Sequence, residues 1–143
     1  MKKKVLFLSL LLFLSLGFAK SDIAEAAMHP WKKLPQAGST CEVRAWTDYM
    51  SYSTRATSVD FYLESRGNCG TLSYIANANA NYGGGMHAVS STESGSFSFR
   101  TPVKKARLQT INVRPAAGPL WARFSKNGRV VGIYESNNLS YPR

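Results

Sequence analysis

The chain predicts an all-β fold, a single antiparallel β-sandwich or small barrel of about six to eight short strands. Three observations carry this. Apolar residues alternate with period two in several runs, turn chemistry recurs about every 8–12 residues, and the part after the N-terminal apolar run has no helix-length stretch of 3.6-residue period. With no crossover helix available, neighbouring strands are expected to pair antiparallel.

The N-terminus stands apart from this pattern. Three lysines (Lys2, Lys3, Lys4) precede an apolar run from Val5 to Phe18, shorter than the roughly 20 residues a membrane span needs. Residues 1–26 read as a secretory signal peptide. Small-x-small cleavage fits after Ala26, and Ala19 is the alternative. Cleavage at Ala26 leaves 117 residues, one domain's worth, with 14 basic and 6 acidic side chains. Residues 27–40, with two prolines and no period, read as an N-terminal arm, and 41–143 as the β domain.

Within the domain, Cys41 to Asp48 is the first strand, with Val43 and Ala45 opposite Arg44 and Trp46. Ser58 to Arg66 follows, where Val59, Phe61 and Leu63 alternate with Asp60, Tyr62 and Glu64, giving one buried and one wet face. After a turn at 66–68, Leu72, Tyr74, Ala76, Ala78 and Ala80 share one face, and Ile75, Asn77, Asn79 and Asn81 the other. Their weak β propensity and the following Gly83-Gly84-Gly85 suggest a thin edge strand running into a flexible loop. Met86 to Val89 is a short strand, and Gly95 to Pro102 places Phe97 and Phe99 on one side. Between Ala106 and Pro115, Leu108 falls opposite Ile111 and Val113, so both faces are partly buried or a bulge intervenes. Asn127-Gly128 between two apolar-rich runs is a strong hairpin signal. A two-residue turn pairs Phe124 with Val131 and Trp121 with Tyr134; a three-residue bulged turn shifts this by one. The expected core is Val43, Val59, Phe61, Leu63, Leu72, Phe97, Phe99, Leu108, Phe124, Val131 and Ile133.

Two cysteines, Cys41 and Cys69, permit one pairing, and export makes a disulfide the expected state. Catalytic signals are sparse. The sequence has no G-x-S-x-G elbow, no H-E-x-x-H and no metal-ligand spacing, so no cofactor and no metal are expected. Asp60 and Glu64 lie about 13 Å apart by strand rise, too far for either glycosidase geometry. His87, with Asp48, Asp60 or Glu93, is the one candidate for a small hydrolase such as a nuclease.

The charge is more informative. Residues 100–143 hold nine Lys/Arg and a single acid, Glu135. Arg100, Lys104, Lys105, Arg107, Arg114, Arg123, Lys126 and Arg129 form the candidate anion-binding patch. Trp46, Trp121 and Tyr134, with the amide row Asn77, Asn79 and Asn81, are candidate glycan contacts. The sequence thus implies a secreted basic binding protein at an anionic cell-envelope surface, either antimicrobial or wall-associated. Its expected partner is a wall polymer or an acidic membrane, with glycan and nucleic acid as alternatives.

Overall fold

A computed structural model describes residues 25–109 and 116–141. The expected signal segment up to residue 24, Ile111, Val113 and Arg114 lie outside them. In chain order the strands are β1 (Ala27–Met28), β2 (Lys32–Lys33), β3 (Glu42–Thr47), β4 (Ser58–Arg66), β5 (Leu72–Tyr82), β6 (Gly85–Ala88), β7 (Glu93–Phe97), β8 (Lys104–Arg107), β9 (Ala116–Lys126) and β10 (Arg129–Tyr141). They form two antiparallel sheets packed as a sandwich. The first runs β1-β3-β4-β8, with β2 also on β3; the second runs β10-β9-β5-β6, with β7 also on β5.

Period-two alternation builds the core as expected. Val43, Val59, Phe61, Leu63, Leu72 and Phe124 are fully buried, and Phe97 and Val131 nearly so. Tyr52, Tyr141, Leu34, Leu120 and Leu139 are also buried, and Tyr52 stacks on Tyr141 with ring centroids 5.7 Å apart. The short-strand count is higher than expected, because residues 27–40 supply β1 and β2 on β3. Two-residue strands carry no readable period. His29 and Leu34 from this segment are buried.

Three expectations are corrected. Phe99 is 75% exposed. The alternation of β7 ends at Phe97, and the chain then crosses to the first sheet, where Ser65 N–H donates to Phe99 O at 2.8 Å and Ser65 Oγ to Ser98 O at 2.9 Å. Ile133 is exposed while Tyr134 is buried. The hairpin has a two-residue turn, with φ of 51° at Asn127 and 76° at Gly128, as a primed turn requires. It then bulges, so that Val130 pairs with Ser125 but Gly132 with Phe124. The extra residue moves Ile133 out and Tyr134 in.

The third correction concerns β5, which is no edge strand. It pairs with β9 on one side and with β6 and β7 on the other. Gly83-Gly84 is its hairpin turn, with φ of 59° and 82° and Tyr82 opposite Gly85. Ala76, Ala78 and Ala80 are fully buried, small side chains at the centre of the packed layer.

The Cys41–Cys69 disulfide is present, with Cα atoms 4.7 Å apart. It ties the entry of β3 in the first sheet to the crossover leading into β5 in the second. Thr40 and Asn68 add side-chain hydrogen bonds at the same end, including Thr40 N–H to Asn68 Oδ1 at 2.9 Å.

Candidate functional site

The outward residues of β3 and β4 form a ladder on the first sheet. Trp46 lies opposite Tyr62, and their rings stack at 5.1 Å with planes 10° apart. Arg44 Nε donates to Glu64 at 2.7 Å, and Arg100 Nη2 to the other oxygen of Glu64 at 2.8 Å. Arg66 pairs with Glu42 at 2.6 Å and Lys105 with Asp60 at 2.7 Å. Trp31 lies under both Arg44 and Arg66, with the guanidinium carbons 4.3 and 4.2 Å from its ring centroid. Arg100 lies 4.7 Å over the Tyr62 ring. Burial alone pushes the Glu64 carboxyl up, but the hydrogen bonds and charges of Arg100 and Arg44 bring it below the usual carboxylate value. Asp60 behaves in the same way, burial being outweighed by Lys105 and Ser58. This face is therefore largely charge-compensated, since Arg44, Arg66, Arg100 and Lys105 already have carboxylate partners.

The second sheet's outer face is different. Asn77 lies opposite Trp121, and Trp121 opposite Glu135. Ile75 and Ile133 flank Arg123 in the next row. Asn77 and Asn79 are half-buried and Asn81 is exposed on this face. The Asn79 Oδ1 is shielded from solvent and has no hydrogen-bond donor among the described residues. Trp46 and Trp121 are on opposite sides of the molecule, so they make no common platform. Tyr134 leaves the set of surface candidates: it is 1% exposed, with its hydroxyl bonded to Pro30 O.

The eight cations expected as one patch are dispersed. Arg100, Lys105 and Arg107 are on or beside the first sheet's outer face, and Lys104 is half-buried opposite Phe61. Arg123 is on the second sheet. Lys126 and Arg129 flank the β9–β10 turn, where Lys126 Nζ donates to Ala37 O at 2.6 Å. Arg114 lies outside the described residues. Among the described residues, ion pairs engage Arg44, Arg66, Arg100 and Lys105 and leave Lys32, Lys33, Arg55, Lys104, Arg107, Arg123, Lys126 and Arg129 without one. Sequence reasoning missed Trp31, Lys32 and Lys33, assigned to an arm, although "WKK" already combined an aromatic with two cations.

His87 stacks on Tyr82 at 4.5 Å. The carboxylates considered as its partners have other contacts: Asp48 accepts from Tyr52, Asp60 from Lys105 and Ser58, and Glu93 from Ser91. Among the described residues no group of three His, Cys, Asp or Glu side chains could hold a metal ion.

These features define a disulfide-clasped, two-sheet β module that presents cations, ring faces and amides on fixed strands. The chain belongs to the YqgA MG2 macroglobulin domain family, whose profile matches residues 24–140. A relative in Bacillus subtilis (strain 168), the cell wall-binding protein YqgA, is 43% identical over 117 residues, covering 81% of this chain and 78% of the relative. No solved structure matches.

Proposed function

We propose that this chain is an exported basic binding protein that acts at an anionic cell-envelope surface by holding a wall polymer. The observation that carries this reading is the 43% identity over 117 residues to a protein named for binding the cell wall. The mature charge near +8 and the cations that no carboxylate neutralises support attraction to a polyanion. Co-sedimentation of mature, oxidised protein with purified wall fragments across a salt series tests it. Binding at low salt that falls steeply as salt rises is the expected result, because exposed charges are screened within about 8–10 Å at 0.1–0.15 M salt. Failure to sediment with walls at any salt overturns the reading.

A second reading, a carbohydrate-binding module, is favoured by the Asn77–Trp121 pair on the second sheet. An indole beside an amide offers a sugar both a flat apolar surface and hydrogen bonds. Under this reading, wall binding is insensitive to salt and is lost in a folded Trp121→Ala variant.

A further inference from the structure

The arm and the C-terminal hairpin, which belong to different sheets, border an open, shallow cleft. It consists of two adjoining depressions of about 640 and 390 Å³ that share Gln36, Val130 and Val131. Lys32 and Lys33 stand on the arm side, and Lys126 and Arg129 on the hairpin side. Among the described residues, no acidic side chain lines either depression, and none of the four cations has an ion-pair partner. The first sheet's ladder is the opposite case, because Glu42, Glu64 and Asp60 neutralise its cations. Four cations without an ion pair thus meet at this cleft from distant parts of the sequence, while Arg55, Lys104, Arg107 and Arg123, also without one among the described residues, lie outside it.

The arm and the hairpin also touch directly. Lys126 Nζ donates to Ala37 O, and Leu34 packs against Gly132, where an added Cβ would sit 2.5 Å from Leu34 Cδ2. Val130 is 53% and Ile133 42% exposed along the rim, giving apolar contact beside the charges.

We propose that this cleft is the seat of a linear phosphodiester-linked polyol polymer, an inference that rests on the envelope reading above and names its ligand. Repeating phosphates match four cations divided between two adjoining depressions, and the methylene groups of a polyol match the exposed valine and isoleucine. Bases and sugar rings are served less well, since no aromatic side chain among the described residues lines the cleft and nucleic-acid grooves rely on ring stacking.

The test is equilibrium binding of a soluble poly(glycerol phosphate) oligomer to the mature oxidised protein across a salt series. The variants are Lys32→Gln with Lys33→Gln, and Arg129→Gln alone. All three positions are exposed, so the fold is kept, and Lys126 is left in place because it joins arm and hairpin. The double variant is expected to bind about tenfold more weakly, at up to about 1 kcal/mol per exposed charge contact. Its salt slope is expected to fall by roughly one per cation removed. Arg100→Gln with Lys105→Gln, the compensated pair, is expected to stay within about twofold of wild type. Equal losses in both double variants, or none in the cleft variants, overturn the assignment. So does tighter binding to a single-stranded oligonucleotide, or to phosphatidylglycerol–phosphatidylcholine vesicles, at matched charge. Wall fragments that retain the wild type and the cleft variants equally remove the cleft but leave the envelope reading intact. Wall fragments that retain neither remove the envelope reading itself.

Discussion

Tyr134 of β10 donates its hydroxyl to Pro30 O at 2.8 Å, a bond between residues 104 apart in sequence that joins the second sheet to the segment between β1 and β2. The ring is buried, so the carbonyl has no ready replacement from water. Tyr134→Phe is expected to cost about 1–2 kcal/mol, read as a lower urea midpoint with an unchanged m-value. A variant as stable as wild type would mean that the arm is held by its strand pairing and apolar contacts alone.

Gly132 is expected to accept a side chain only if Leu34 gives way. Its φ is 155°, and an added Cβ would fall 2.5 Å from Leu34 Cδ2. Gly132→Ala is expected to destabilise the fold by about 1–3 kcal/mol through overpacking. Pairing it with Leu34→Ala relieves the clash, so a double-mutant cycle should show a favourable coupling between the two changes.

His29 gives stability a pH dependence. Its Nε2 lies 2.9 Å from Thr47 Oγ1, and burial holds the imidazole below its ordinary value of 6.5. The folded chain therefore favours the neutral ring. As pH falls below 6.5, the unfolded chain takes up a proton that the folded chain resists, and stability declines. Glu64 and Asp60, both held below the usual carboxylate value, lose their contributions only at lower pH. Urea midpoints measured between about pH 7.5 and 5.5 should fall for wild type and change less for His29→Gln. Parallel slopes for the two proteins would remove His29 as the cause.

Much of the fold was legible in the residues themselves. Val59, Phe61 and Leu63 announced β4 by alternation, and Asn127-Gly128 announced the last hairpin. The errors at Phe99 and Ile133 share one physical origin, since a period of two holds only while the strand stays regular. One extra residue between Val130 and Gly132 reversed the side chains up to a second register shift between Glu135 and Asn138, which put Ile133 in water and made Tyr134 a core residue instead of a ligand contact. A bulge is set by the partner strand and by Leu34 packing beneath Gly132, neither of which local pattern encodes. The row Asn77, Asn79, Asn81 was correctly placed on an outer face. Its strand was taken for an edge because alanine and asparagine form strands poorly by themselves, yet pairing on both sides fixes β5 at the centre. The cationic surface was visible as composition but not as a place. Lys32 and Lys33 lie far in sequence from Lys126 and Arg129, and only the sandwich brings them together.

Reducing the Cys41–Cys69 bond is expected to cost about 3–4 kcal/mol in the chain-entropy account. A Cys41→Ser, Cys69→Ser variant should show this as a drop in thermal midpoint while keeping its far-ultraviolet spectrum. A drop much smaller than about 2 kcal/mol would mean that the unfolded chain is already compact at this loop.

That bond also gives the molecule a polarity. At its end of the sandwich, Cys41–Cys69, the Thr40–Asn68 bonds and the Lys126–Ala37 contact fasten both layers to each other. At the opposite end β5 turns through Gly83 and Gly84, where a Cβ added to either would meet nothing within 4 Å. Amide hydrogens should therefore exchange slowly from the clasped pole and first from the glycine pole, with opening that spreads along β6 before it reaches the middle of β5. A protease seeking its first cut would find it there, far from the lysine-lined end and without disturbing it.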